Sequence, residues 1–161
     1  MKEGATELHL KLGRCKGPID PGIKGLIAAM NGTGYLQTIC SCEGHQERDE
    51  APYVSFVCRT SEINQLCKVL NEAESVAENE GLVLAFILSI VHNKDIINCQ
   101  ESIPDGYLSL DLQFDTDDDI WVTKERVFKI LTGCFNGAWK PVDGLKNVIP
   151  LKRPSHHEYT R

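Results

Sequence analysis

Leu8, Leu10 and Leu12 alternate with Glu7, His9 and Lys11, and this period of two predicts a half-buried strand at residues 7–12. Pro18 to Asp20 interrupts it. Asp20 then precedes Pro21, the arrangement of a helix N-cap and first turn. Ile23, Leu26, Ile27 and Met30 follow at helical spacing until Asn31-Gly32 and Gly34 end the helix. Residues 35–42 read as a strand entering a polar loop at 43–51, and Pro52 opens a further strand at 53–59. The two predict a hairpin with a long tip. Ser61 is placed to N-cap a second helix with the stripe Ile63, Leu66, Cys67, Leu70, Ala73 and Ala77.

Gly81 stops that helix. Residues 82–91 are apolar on both faces, as in a central buried strand, and the β-branched Val83, Ile87, Ile90 and Val91 favour strand over buried helix. After a loop at 93–106, Leu108, Leu110, Leu112 and Phe114 alternate in a last strand. A third helix runs from about 123 to 139 with Val127, Phe128, Ile130, Leu131 and Phe135 inward. The order β-α-β-β-α-β-β-α predicts an α+β fold. Its sheet is mixed or antiparallel, with a ferredoxin-like β-α-β-β-α-β core extended by a β-α unit. Residues 1–139 form one α+β domain of ordinary size, followed by an irregular basic C-terminal tail at 140–161 with Pro141, Pro150 and Pro154.

Charge narrows the partners. The formal net charge is −6 over 161 residues. The tail carries Lys140, Lys146, Lys152, Arg153 and Arg161 against Asp143 and Glu158, so it holds +3 and the body −9. An acidic body suits no extended nucleic-acid contact. The tail, with His156 and His157, could neutralise phosphates alone or across a dimer, and a homo-oligomer stays open. The longest apolar run, residues 82–91, falls short of the roughly 20 residues a bilayer span needs. The polar start Met1-Lys2-Glu3-Gly4 reads as no leader, and the odd count of seven cysteines favours thiols over a disulfide framework. Both point to a reducing cytoplasm.

The loop Ser41-Cys42-Glu43-Gly44-His45, at a strand exit, is the candidate for chemistry. Cys40, Cys42 and His45 offer soft-metal donors at C-x-C-x-x-H spacing, with Cys58 or His92 as a fourth. Cys42 and His45 are also a nucleophile and base in type; a working pair needs an oxyanion site and an orienting third group, for which Glu43 is a candidate in name only. Ser41, Gly44 and His45 suit an anion or polar ligand, through a hydroxyl, close backbone approach and an imidazole donor. The plain alternative is a strand-to-loop turn with one cysteine in the core.

Thr38, Ser41, Cys42 and Gly44 match the Ser-Ser-Cys-Ser-Gly-Arg signature region of the wybutosine-synthesis tRNA methyltransferase family. A helix with an early aspartate precedes the signature there, as Asp20 and the first helix do here, and an extended segment like 53–56 follows. The segment resembles that family over residues 20–58. The resemblance implies a similar fold and pocket position, an S-adenosylmethionine cofactor and an RNA substrate. Glu43 stands for a serine and His45 for the arginine, and imidazole in place of guanidinium makes phosphate binding weaker and pH-dependent.

Asp115, Asp117 and Asp119 fail as a calcium loop, because Ile120 and Arg126 occupy the Gly and Glu positions of that template; they read as a turn capping the third helix. Among Trp121, Trp139, Tyr35, Tyr53 and Tyr107, Tyr53 is best placed to stack a base. With no complete catalytic set, the expectation is a small-molecule binding protein rather than an enzyme, holding no cofactor or metal. Its ligand is polar, anionic and nucleotide-like. Ser41, Cys42, Glu43, Gly44 and His45 form the pocket, with Tyr53 against a base and Arg59 as a charge partner. Such a protein could sense or sequester a nucleotide signal, a function class that some phage-encoded proteins serve. An S-adenosylmethionine-dependent RNA-modifying enzyme and a zinc-stabilised interaction module are the alternatives.

Overall fold

The computed structural model describes residues 18–91, 103 and 105–137. A 3-10 turn, Pro21–Ile23, leads into α1 (Lys24–Asn31). The hairpin β1 (Leu36–Cys42) and β2 (Tyr53–Arg59) follows, then the turn Thr60–Glu62 and α2 (Ile63–Asn79). A second hairpin, β3 (Leu84–Ile90) and β4 (Tyr107–Thr116), precedes α3 (Ile120–Phe135). The sheet order is β1-β2-β4-β3 with every neighbour antiparallel, so the fold is α+β with an antiparallel sheet.

The chain path differs from the expected core. A ferredoxin-like pattern places its first strand in the central slot, but β4, the strand assigned to the extension, lies there between β2 and β3. The strand predicted at residues 7–12 lies outside the described residues, as do Trp139 and the tail at 140–161. A second correction concerns β3. It is the outer strand of the described sheet rather than a central one, and Ile87 and Ile90 are 48% and 71% exposed. A continuous apolar run does not separate a buried strand from an outer strand whose second face is also apolar.

Strict alternation builds the core. Val54, Phe56 and Cys58 stand opposite Leu112, Leu110 and Leu108, and Phe86 opposite Phe114. This inward row meets Leu26, Met30, Leu66, Ala73, Val127 and Leu131 from the helices. The Phe114 ring meets Phe86 and Phe128 edge-on, at centroid distances of 6.5 and 6.0 Å. Helix α3 packs on both α1 and α2. On α2, Leu66, Val69, Leu70, Ala73 and Ala77 are buried. Cys67 is exposed and Val69 takes its place, because the buried stripe runs through 66, 69, 70, 73 and 77. Ser61 falls within the 3-10 turn and caps nothing; Glu62 holds the N-cap position without a side-chain bond. No described helix is long and apolar enough to cross a membrane.

The aspartate turn does cap α3: Asp119 Oδ1 accepts from Trp121 N at 3.0 Å. Asp119→Ala should therefore cost about 1 kcal/mol, the usual worth of an N-cap, and lower Tm by about 3 °C in thermal denaturation. An unchanged Tm would mean that water serves the Trp121 amide as well as the Asp119 carboxylate does.

Candidate functional site

At the tip of the first hairpin the chain leaves β1 at Cys42 and closes a small loop, with His45 N donating to Glu50 O at 2.8 Å and Glu50 N to His45 O at 3.1 Å. Gly44 takes φ +90, and its backbone lies against the ring of Pro52. That positive φ swings the chain across the end of the sheet toward the start of the helical layer.

Asp20 does not cap its own helix. Its Oδ2 accepts instead from Glu43 N at 3.1 Å and faces His45 Nε2 at 3.3 Å. The helix start is served in return by Glu43, whose Oε1 accepts from Gly22 N at 2.7 Å. Each carboxylate thus satisfies the other segment's backbone, a capping exchange between residues 21 positions or more apart in sequence. A Cβ at Gly22 would lie 2.6 Å from that Glu43 oxygen, so a larger residue there would displace the flexible Glu43 carboxylate.

The loop's backbone amides are committed. Glu43 N serves Asp20, Gly44 N donates to Cys42 Sγ at 3.4 Å, and His45 N serves Glu50. The Gly44 carbonyl accepts from Lys124 Nζ at 2.8 Å, which ties the loop to α3; the same ammonium lies 6.0 Å from the Trp121 ring centroid. His45 Nδ1 faces Glu47 Oε2 at 3.7 Å. Both ring nitrogens thus face carboxylates, and no hydrogen bond joins Cys42 to His45 as a nucleophile–base pair would need. Asp20, Cys42 and His45 are partly or largely buried, and one donor atom from each lies within 4.8 Å of the others.

The cysteines differ from the all-thiol expectation. Cys42, Cys58, Cys67 and Cys134 are free, but Cys40 is disulfide-bonded. A disulfide sulfur carries no proton, so in the 3.3 Å contact between Cys40 Sγ and the Tyr53 hydroxyl, tyrosine donates. It also removes Cys40 from any set of metal donors.

The structure divides the expected site residues. Ser41 stands opposite Val54 and shares its face of the sheet, while Cys42 stands opposite Tyr53. Arg59 is at the far end of β2 from Tyr53, roughly 20 Å away along a seven-residue strand. Its guanidinium bonds the Gly34 carbonyl at 3.1 Å, so it belongs to the opposite end of the sheet.

Tyr53 lines something not anticipated: a cavity of about 290 Å³ on the sheet face away from the core, with Cys40, Ser55, Val91, Ser109, Asp111 and Gln113 around it. Ser55 Oγ bonds Asp111 Oδ1 across the β2–β4 pair. Ser109 is 5% exposed, and its hydroxyl has no hydrogen-bond partner among the described residues. Burial raises the Tyr53 phenol above its ordinary value, and the nearby Cys42 and Asp111 add to the rise, so the ring stays a neutral donor. The sequence carried a signal for this face. The polar positions of the last strand, Ser109, Asp111 and Gln113, alternate with its core leucines, but outward polar residues ordinarily mean solvent. Comparison with known proteins finds no matching family model, curated protein or solved structure.

Proposed function

We propose that the protein binds a small polar ligand of the nucleobase or nucleoside kind in the sheet-face cavity of Tyr53, Ser55, Ser109, Asp111 and Gln113. One observation carries the reading: the Ser109 hydroxyl, buried at the cavity wall with its hydrogen-bonding capacity unused. Buried polar groups in folded proteins are satisfied with few exceptions, and a ligand in the cavity would complete this one once the Ser109 side chain turns toward it.

The lining gives the ligand its chemistry. Asp111 accepts hydrogen bonds, Gln113 and Ser109 both donate and accept, and Tyr53 adds an aromatic surface. No cation stands among the described lining residues. The part of the ligand recognised here is accordingly an uncharged heterocycle with N–H donors for Asp111, held beside the Tyr53 ring. The volume lies at the lower end of small-molecule pockets, roughly 300–1,000 Å³, which suits a base or nucleoside better than a dinucleotide. The anionic end of a nucleotide would lie outside this lining. The Ser41 loop is a poor place for it, because its amides at 43–45 are committed, Arg48 is already paired with Glu47 and Glu50, and Asp20 and Glu43 add further negative charge. We read the cavity as one for binding, as in sequestration or sensing.

Calorimetry of the full chain against nucleosides, mononucleotides and S-adenosylmethionine tests this. Wild type should bind a nucleoside, and Asp111→Asn should weaken it by about tenfold or more, the worth of a charge-assisted hydrogen bond. Loss of binding in Ser41→Ala/His45→Ala with Asp111→Asn unaffected would move the ligand to the loop. Tight binding of S-adenosylmethionine alone would turn the reading toward methyl transfer.

A further inference from the structure

We propose that Asp20, Cys42 and His45 form a three-donor site for a zinc-class divalent cation, separate from the sheet-face cavity. The three residues come from separate segments: the approach to α1, the last position of β1, and the bridge that closes the hairpin tip. They present a carboxylate oxygen, a sulfur and an imidazole nitrogen with donor atoms mutually within 4.8 Å. Ligand atoms around tetrahedral zinc stand about 3.5 Å apart, given metal–ligand bonds of roughly 2.0–2.3 Å. The Asp20–His45 pair, at 3.3 Å, already meets that spacing, and the Cys42 sulfur, within 4.8 Å of both, needs to approach by about an ångström at most.

The surroundings are those of a supported site. Metal-bound histidine usually gives its other ring nitrogen to a carboxylate; with Nε2 on the metal, Nδ1 faces Glu47 at 3.7 Å. A ligating thiolate is stabilised by backbone donors, and Gly44 N points at Cys42 Sγ. Glu43 N fixes the Asp20 carboxylate. Around the tip Arg48 pairs with Glu47 and Glu50 and Lys124 sits on the Gly44 carbonyl, but the carboxylates of Asp20, Glu43, Glu47 and Glu50 outnumber these two cations and favour a cation over an anion. The mixed S, N and O donors select zinc over magnesium or calcium, which take oxygen. Binding releases the Cys42 thiol proton to solvent and replaces the Asp20–His45 contact with two bonds to the metal. Three protein ligands leave a fourth position for water or an exogenous group.

The experiment is cobalt(II) titration of the full-length protein under argon without thiol reductant, followed by displacement with zinc. Wild type should take one equivalent and show the intense visible bands of tetrahedral cobalt with a thiolate charge-transfer band, all erased by zinc. Cys42→Ser should lose the charge-transfer band, His45→Gln should lose the tetrahedral bands, and Cys67→Ser, at an exposed thiol, should behave as wild type. Circular dichroism of the metal-free variants separates lost ligation from lost fold. Weak octahedral bands in wild type overturn the site, as does a charge-transfer band that survives in a folded Cys42→Ser. Neither outcome bears on the cavity, whose ligand is tested without metal.

Discussion

Gly44→Ala is expected to lower stability by about 3 kcal/mol and Tm by about 10 °C. Two costs combine. Residue 44 sits at φ +90, a conformation that side chains other than glycine's rarely adopt, at roughly 1–3 kcal/mol. The new methyl would also lie 2.8 and 2.9 Å from Cγ and Cδ of Pro52, a rigid ring that is itself fully buried and cannot rotate away. Relief must come from the backbone, and that moves the Gly44 carbonyl off Lys124 and its amide off Cys42. Gly81→Ala is the internal control. It shares the positive φ, at +80, but has nothing within 4 Å of the added carbon, so it should cost only about 1 kcal/mol. Equal losses in the two variants, measured by thermal denaturation, would show that the Pro52 contact is not felt.

Stability should also fall steeply on the alkaline side. Cys58 is fully buried on β2, and burial pushes its thiol from an ordinary 9.0 up to about 12, with Glu62 adding to the rise and Arg59 opposing it. Burial likewise raises the Tyr35 phenol above its ordinary 10.0, with Cys58 as the next cause. Below pH 9 both groups are protonated in the folded and unfolded chains, and neither contributes a pH dependence. Between pH 9 and 12 the unfolded chain loses the Cys58 proton while the folded one keeps it. The native state then binds more protons and stability falls as pH rises. The loss from Cys58 alone should reach on the order of 2 kcal/mol by pH 11, and Tyr35 adds to it above pH 10. Urea denaturation at pH 7, 9 and 11 checks this. Cys58→Val should flatten the decline between pH 9 and 10. An identical decline in the variant would assign it to other groups.

Legibility followed periodicity. The strand at 53–59 and the inward faces of β4 and α3 were read correctly because core packing is what writes period two and period 3.6 into a sequence. Sheet order escaped, since nothing in the composition of residues 107–116 distinguishes a central strand from an appended one, and pairing is decided across the whole chain. Asp20 shows a subtler failure. Its position before Pro21 is that of an N-cap, yet a partner 23 residues away supplies a competing amide and the carboxylate follows it. Glu43, one of the departures from the methyltransferase signature, has a structural task of its own at Gly22. Lys124 and Asp111 could not be tied to the hairpin without the fold, because their partners at Gly44 and Ser55 lie 80 and 56 positions away.

The central place of β4 also orders events during synthesis. Strand β2 is joined to β3 only through β4, so within the described sheet the two stay unconnected until residues 107–116 have left the ribosome. Among the described residues, a nascent chain ending before that point holds one hairpin, two helices and a β3 without its β4 partner, with Ile87 and Ile90 exposed. This is the kind of apolar strand that pairs with other chains. Assembly of this sheet is therefore late and long-range: loop-closure entropy is met before the central ladder repays it.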